Sequence, residues 1–151
     1  MMRSTRRSLP PGHQGNEMYA VIDTNVIVSA MITNDDSSST VKVLTEALSG
    51  DITPVFSEYL ISEYIEVLCR EKFSIPKALI ADVINTLIKR GTCVEPSIVD
   101  YGFGDIKDAP IFAIASESRE LDTFLITGNI RHFPDVNYVV TPRVAIELLK
   151  R

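Results

Sequence analysis

Short apolar runs alternate with helix-like patterns from Met18 onward, and this alternation limits the possible folds more than any other feature. Such alternation is typical of βαβ units, which build a parallel sheet, so we expect an α/β domain. We predict strands over residues 18–23, 53–57, 92–95, 123–127 and 138–141. We predict helices over residues 24–32, 38–49, 58–71, 77–90, 109–119 and 142–150, with Ser57 and Asp108 as N-caps and Gly50 and Gly91 as helix ends.

The composition indicates a single globular domain. The chain has 151 residues, of which 45% are apolar and 23% are charged. No apolar run approaches the roughly 18–20 residues that cross a bilayer, and the basic start lacks the apolar segment of a secretory signal. The two cysteines, Cys69 and Cys93, make neither a disulfide framework nor a metal cluster. We therefore expect a cytoplasmic protein with no membrane segment.

The charge is unevenly distributed along the chain. Residues 1–17 contain three arginines and one glutamate, a net charge of +2. Because the whole chain has a net charge of −5, residues 18–151 have a net charge of −7. A negative domain lacks the broad basic footprint of many nucleic-acid-binding proteins, but a nuclease site that binds cations is itself acidic. We interpret residues 1–17 as a disordered tail, or as an upstream start with Met18 as the natural beginning, and residues 18–151 as the folded domain.

Asp23 ends the first predicted strand. A carboxylate at this position lies at the carboxyl edge of the sheet, where open α/β folds bind ligands. Thr24 and Asn25 follow it and add two polar groups that can orient a carboxylate or a water molecule. The simpler interpretation, that Asp23 only caps the following helix, stays open on these residues alone.

Glu63 is the best placed of three glutamates on the third predicted helix. At 100° per residue it lies about 40° beyond the apolar face of that helix. Glu66 lies about 100° beyond the same edge and faces water more squarely. Glu58 lies in the first turn, where the helix dipole alone favours an acidic residue. Glu63 is therefore the candidate to point into a cleft, or else an ordinary residue at the border of an amphipathic helix.

Two loops carry the other candidate site residues. Asp108 opens a predicted helix, and Asp105 precedes it as a supporting or exposed residue. Asn129 follows the fourth strand at the same sheet edge as Asp23, with Arg131 and His132 as candidate phosphate contacts or surface residues. Carboxylates gathered in one cleft repel each other unless a cation lies between them, and oxygen ligands favour a hard divalent ion.

These residues together resemble the PIN-domain ribonucleases, especially the VapC-like toxins of prokaryotic toxin–antitoxin systems. The resemblance covers nearly all of residues 18–151. The matching elements are Val-Ile-Asp-Thr-Asn-Val at 21–26, Ser57 with Glu63 and Leu68, Asp-Ile-Lys-Asp-Ala-Pro-Ile at 105–111, and Leu-Ile-Thr-Gly-Asn-Ile-Arg-His-Phe at 125–133. The resemblance implies a three-layer α/β/α fold with a parallel sheet of about five strands in the order 3-2-1-4-5.

The resemblance also implies a site and partners. Asp23, Glu63 and Asp108 would be the catalytic acids that bind Mg²⁺ or Mn²⁺, with Thr127 as a polar orienting group. The family often has a fourth acid where this chain has Asn129, which leaves open whether one or two metal ions bind. The implied activity is hydrolysis of RNA phosphodiester bonds by activated water. The implied partners are an RNA substrate, a small antitoxin protein and a second copy of the chain.

Two other functions fit parts of the pattern. A phosphatase of the haloacid-dehalogenase type also places an aspartate after its first strand, but its second acid would fall at Asn25. A PIN-like module that binds RNA or a partner without catalysis would be consistent with Asn129 and the acidic surface. We find no Ser-His-Asp or Cys-His nucleophile, no phosphate-binding P-loop and no zinc-ligand spacing, and this favours hydrolysis without a covalent intermediate.

Overall fold

The computed structural model describes residues 17–97 and 108–150. These residues form a central sheet of five parallel strands flanked by six α-helices. The strands are β1 (Met18–Ile22), β2 (Ile52–Phe56), β3 (Thr92–Cys93), β4 (Phe124–Ile126) and β5 (Val139–Val140). The helices are α1 (Thr24–Ile32), α2 (Ser39–Ser49), α3 (Glu58–Leu68), α4 (Lys77–Arg90), α5 (Asp108–Ser116) and α6 (Pro142–Leu149).

The strand order is β3-β2-β1-β4-β5, and each neighbouring pair is parallel. This confirms the predicted three-layer α/β/α fold and its order 3-2-1-4-5. The residues proposed as a disordered tail lie outside the described residues except for Glu17, and Asp105 also lies outside them. None of the helices in the described part of the chain is long and apolar enough to cross a membrane.

β1 is the middle strand, and its position determines where a ligand site can form. Ala20 pairs with Pro54 of β2 on one side and with Phe124 of β4 on the other. The chain order reverses between β1 and β4, so the connections that follow these two strands diverge and leave a crevice at their carboxyl ends. Asp23 and Thr127 are the first residues after β1 and β4. The topology therefore brings both side chains to the crevice.

Helix ends agree with the sequence pattern at several positions. The Ser57 hydroxyl accepts a hydrogen bond of 3.1 Å from the Leu60 amide and caps α3. Gly50 and Gly91 follow the last residues of α2 and α4, as predicted. The guanidinium group of Arg90 donates hydrogen bonds to the carbonyl oxygens of Ala47 at 2.6 Å and Gly50 at 2.9 Å. Arg90 therefore connects the end of α4 to the end of α2.

Other predicted boundaries were wrong by a few residues. The predicted helix 58–71 ends at Leu68, because Arg70 has extended backbone angles (φ −64°, ψ 134°) before a short 3-10 helix at Glu71–Phe73. The predicted helix 109–119 runs from Asp108 to Ser116, so Asp108 is its first residue rather than the preceding cap. β3 and β5 have two residues each instead of four, since both lie at the edges of the sheet and pair with a single strand among residues 17–97 and 108–150.

Candidate active site

A cleft of about 520 Å³ opens at the carboxyl ends of β1 and β4. It contains all three acids that the sequence singled out, each from a different part of the fold. Asp23 follows β1, Glu63 projects from α3, and Asp108 begins α5. The other predicted site residues that line the cleft are Thr24, Asn25, Asn129 and His132. Arg131 is exposed and does not line it, and Thr127 is buried beside Asp23.

Asp23 is fixed in place by β4. Its backbone amide donates a hydrogen bond of 2.9 Å to the carbonyl oxygen of Ile126. Its Oδ2 atom accepts a hydrogen bond of 2.7 Å from the hydroxyl of Thr127. Asp23 occupies the N-cap position of α1, yet its side chain accepts no capping hydrogen bond. Thr127 therefore orients this carboxylate from β4, while the amides of Thr24 and Asn25 at the start of α1 also interact with it.

Burial makes Asp23 an unusual carboxylate. Only 7% of the residue is exposed. Desolvation raises the pKa of Asp23 above its ordinary value, because a charge is less stable away from water. The Thr127 hydrogen bond, the nearby amides of Thr24 and Asn25 and the charge of His132 each lower this pKa and partly oppose the effect of burial. A group of opposite charge in the cleft would stabilise the ionised form.

Glu63 is oriented by a residue from another helix. The hydroxyl of Thr24, at the start of α1, donates a hydrogen bond of 2.6 Å to Oε1 of Glu63. Glu63 is half-buried, whereas Glu58 and Glu66 are exposed. Glu66 nevertheless lines the cleft and lies 3.2 Å from the guanidinium of Arg70, while Glu58 does not line it. The helical geometry therefore identified Glu63 but understated how far the cleft extends around α3.

Tyr64 joins α3 to the end of β1 beneath the cleft. Its hydroxyl donates a hydrogen bond of 2.5 Å to the carbonyl oxygen of Ile22, the residue before Asp23. The ring is almost fully buried at 3% exposure. Burial and the negative charges of Asp23 and Glu63 raise the pKa of Tyr64 well above its ordinary value of 10, so the phenol remains a neutral donor.

The loop after β4 faces Asp108 across the cleft. Nδ1 of His132 lies 3.9 Å from Oδ2 of Asp108, a distance at which charges interact but no hydrogen bond forms. The backbone amide of Asn129 donates a hydrogen bond of 3.0 Å to the hydroxyl of Thr127. Thr127 therefore receives one hydrogen bond from this loop and donates another to Asp23. The loop and the carboxylate are held in one hydrogen-bonded chain.

Sequence reasoning missed most of the wall that α3 contributes. Residues at the helical spacing of three and four line the cleft along this wall, namely Tyr59, Ser62, Glu63, Glu66, Val67 and Arg70. For the five residues within α3 the signal was present in the sequence, because they share one side of the helix in the same angular geometry that selected Glu63. Arg70 lies beyond the helix end and is not covered by this geometry. Ile111 of α5 also lines the cleft and was not singled out.

The donor atoms suit a hard divalent cation. Asp23, Glu63 and Asp108 line one cleft together with Asn25 and Asn129, and all five side chains carry oxygen atoms that can bind a hard cation. Within residues 17–97 and 108–150, no three acidic, imidazole or thiol side chains are grouped so that they could hold a metal ion together. This arrangement still fits Mg²⁺, which keeps several waters and usually binds one or two carboxylates rather than a complete protein cage.

The parallel sheet of order 3-2-1-4-5 and the acidic cleft at its switch point define a nuclease-type α/β domain. The family model described as PIN domain matches residues 19–131, about three quarters of the chain, and the chain belongs to this family. PIN domains are generally nucleases, which are hydrolases, and they typically use divalent metals. Searches of curated proteins and of solved structures found no significant match.

Proposed function

We propose that this protein is a metal-dependent endoribonuclease that hydrolyses RNA phosphodiester bonds. One observation carries the proposal, namely that Asp23 after β1, Glu63 on α3 and Asp108 on α5 line a single cleft at the switch point of the sheet. Membership of the PIN family supports nuclease chemistry. The absence of a nucleophilic serine or cysteine pattern in the sequence favours direct attack by water.

Asp23, Glu63 and Asp108 are the proposed catalytic and metal-binding residues. Thr127 keeps the carboxylate of Asp23 in one orientation, and Thr24 does the same for Glu63. Such hydrogen bonds keep ligands positioned before a substrate arrives, which reduces the reorganisation needed in the transition state. Asn25, Asn129 and Asp105 are proposed as supporting polar groups, and His132 and Arg131 as contacts of the RNA.

Bound Mg²⁺ or Mn²⁺ would lower the pKa of water and neutralise charge on the phosphate oxygens. The chain supplies the acidic pocket that attracts such an ion and the walls that align the phosphate. Water adds across one P–O bond of the RNA, which yields a phosphate ester on one product and a hydroxyl on the other. Asn129 carries no charge where the resemblance to the family implies a fourth acid, so the number of bound ions, one or two, is a separate question for metal titration.

The broader biological role follows the resemblance to VapC-like proteins. We propose that the protein is the cytoplasmic toxin of a toxin–antitoxin pair, that residues 18–151 form the nuclease domain, and that residues 1–17 form a tail outside it. Two exposed apolar side chains on α4, Leu79 and Ile88, support association with an antitoxin or a second copy. Sedimentation of the purified protein and co-expression with the neighbouring gene product test these associations.

Cleavage of labelled RNA by purified protein tests the enzymatic proposal. The reactions contain Mg²⁺, Mn²⁺ or EDTA, and the variants are Asp23→Asn, Asp108→Asn and the control Glu58→Gln, an acid on α3 outside the cleft. Removal of a ligand to a catalytic ion should reduce cleavage by at least about 100-fold. We expect cuts that need metal, that disappear in both aspartate variants and that persist in the control.

A module that binds RNA or a partner without catalysis is the second candidate function. Asn129 favours it, because this residue removes one acid from the cleft. RNA binding would then persist in Asp23→Asn and in EDTA, whereas a catalytic site would lose both metal binding and cleavage. Lack of cleavage by the wild type with several RNAs, together with absence of metal binding by calorimetry, would overturn the ribonuclease proposal and support this module.

A further inference from the structure

The α3 wall of the cleft carries three different chemical groups in sequence. Three of the six residues of this wall carry these groups, namely Tyr59, Glu63 and Arg70, and all three line the cleft. At 1.5 Å rise per residue, Tyr59 lies about 6 Å from Glu63 along the helix axis. Arg70 lies just beyond the helix end, on the other side of Glu63. A proposed catalytic carboxylate is therefore flanked by an aromatic ring and a guanidinium group.

Tyr59 is the exposed member of the wall that suits a nucleobase. The residue is 44% exposed, although a large aromatic side chain gains free energy by burial. Among the described residues, seven large hydrophobic side chains are exposed, and Tyr59 alone among them is aromatic and lines the cleft. Aromatic rings at such positions stack on bases, and this stacking tolerates any sequence because every base has a π-face.

Arg70 suits a phosphate group. Its guanidinium lies 3.2 Å from Glu66, and the two side chains are 44% and 65% exposed. Exposed ion pairs of this kind contribute little to stability, so Arg70 can exchange Glu66 for another anion at small cost. A guanidinium recognises phosphate with two parallel hydrogen bonds, which a lysine cannot do. Arg70 also supplies positive charge to a cleft that is otherwise dominated by acids.

We propose that Tyr59 stacks on one base of the bound RNA and that Arg70 holds one of its phosphates. This proposal rests on the proposed ribonuclease function and assigns two substrate-contacting residues at the same site. A base within a duplex is covered by its neighbours on both faces, so the base that lies against the Tyr59 ring is unpaired. The two contacts would therefore set where along a strand the RNA lies relative to Glu63.

Binding tests the proposal without cleavage. A fluorescein-labelled single-stranded RNA of about 12 nucleotides is titrated into Asp108→Asn, with Tyr59→Ala, Tyr59→Phe or Ile65→Ala added. We expect Tyr59→Ala to weaken binding about 5- to 150-fold, because loss of one stacked base has this effect. Tyr59→Phe keeps the ring and should bind normally. Ile65→Ala, which removes an exposed apolar side chain of α3 outside the cleft, is the matched control.

The role of Arg70 appears in the salt dependence of binding. Loss of one phosphate contact to a single strand should reduce the slope of log K against log salt by about 0.7. We expect this change in Arg70→Gln and no change in Arg143→Gln. Arg143 is a matched control, because it also pairs with a glutamate, Glu147, on an exposed helix surface, and does not line the cleft. Equal slopes in the two variants would overturn the phosphate contact.

Cleavage by the otherwise unmutated enzyme separates this proposal from the proposed function. We expect Tyr59→Ala to raise KM more than it lowers kcat. We also expect that an abasic nucleotide at one position of the RNA weakens binding to the wild type and leaves binding to Tyr59→Ala unchanged. Annealing the RNA to its complement should slow cleavage.

Metal-dependent cleavage with equal KM for Tyr59→Ala and Ile65→Ala would overturn the stacking and leave the nuclease proposal intact. If Tyr59→Ala weakens RNA binding but the wild type cleaves no RNA, the stacking stands and the ribonuclease proposal is overturned. If the wild type neither binds nor cleaves RNA, the stacking and the ribonuclease proposal are both overturned.

Discussion

The hydroxyl of Tyr64 donates a hydrogen bond of 2.5 Å to the carbonyl oxygen of Ile22. This contact connects the residue after Glu63 on α3 to the residue before Asp23 on β1. Two proposed catalytic carboxylates from separate elements are therefore held in register by one buried contact between their neighbours. Because the phenol is buried and its pKa lies well above 10, the contact does not change with pH near neutrality.

Tyr64→Phe should impair both stability and cleavage. The substitution leaves the Ile22 carbonyl buried without its donor, which costs about 1–3 kcal/mol. We expect a lower Tm and a several-fold lower kcat, because Asp23 and Glu63 lose their common support. Tyr138→Phe, on a half-buried ring 6.0 Å from Phe112, is the control and should leave kcat unchanged. A wild-type kcat in Tyr64→Phe would contradict the positioning role.

Thr127→Val should move the acid limb of the pH–rate profile to higher pH. The Thr127 hydrogen bond lowers the pKa of Asp23, so its loss lets burial raise that pKa further. A larger fraction of Asp23 is then protonated at a given acidic pH and cannot bind a cation. The measurement is kcat/KM as a function of pH at saturating Mg²⁺.

Thr123→Val provides the control for this shift. Thr123 and Thr127 are both fully buried at the two ends of β4, but the Thr123 hydroxyl donates to the carbonyl oxygen of Ser118 at 3.0 Å. Thr123→Val should lower stability and leave the acid limb in place. Equal shifts in both variants would show that the effect comes from loss of stability rather than from Asp23.

Asp23→Asn should stabilise the metal-free protein while it removes cleavage. Burial raises the folded-state pKa of Asp23 above its ordinary value near 3.8. The stability that this carboxyl contributes is present below the unfolded pKa and is lost as pH rises through the folded pKa. Asparagine does not ionise, so the gain over wild type should be absent below the ordinary pKa and grow as pH rises through the folded-state pKa of Asp23.

Thermal unfolding in EDTA measures this gain. We expect Asp23→Asn to unfold about 2–4 °C above the wild type at pH 7, which corresponds to about 1 kcal/mol for a chain of this size. The exposed Asp82→Asn on α4 should show no gain. Addition of Mg²⁺ should raise the Tm of the wild type but not that of Asp23→Asn. A lower Tm for Asp23→Asn in EDTA would contradict the burial argument.

Arg90→Met should destabilise the fold without a direct effect on the site. Its guanidinium contacts the last carbonyl groups of α2, and these groups lose charged hydrogen bonds worth about 2 kcal/mol in total. We expect a lower midpoint in urea, with an unchanged slope and unchanged kcat for the folded protein. Lys89→Met, in the same last turn but exposed, is the control. A change in kcat at temperatures where Arg90→Met is folded would contradict this separation.

The sheet and the sheet-derived part of the site could be predicted because apolar runs end at polar residues. Ile22 precedes Asp23 and Ile126 precedes Thr127, so the polar groups fall at the carboxyl ends of parallel strands whatever the details of packing. The periodicity of α3 likewise selected Glu63. These signals are local, and each depends on one element only.

The contacts between elements could not be predicted from the same signals. Tyr64 lies on the apolar face of α3, so its position in the sequence predicts a core residue. The neighbouring residues give no indication that its hydroxyl donates a hydrogen bond to the Ile22 carbonyl. Arg70 was expected within a helix, but the helix ends before it and extended backbone carries it along the cleft. Such relations depend on how α3 lies against β1, which tertiary packing determines.

The two outer strands, β3 and β5, have only two residues each. A long edge strand has a row of unpaired backbone N–H and C=O groups, with which a strand of another chain can form hydrogen bonds. A strand of two residues has too few such groups for stable pairing. Self-assembly through strand exchange and fibril growth from the native state are therefore disfavoured. The proposed association with a partner protein would then depend on side chains of the helices, so partner choice could diversify by surface substitution while the sheet that carries Asp23 stays unchanged.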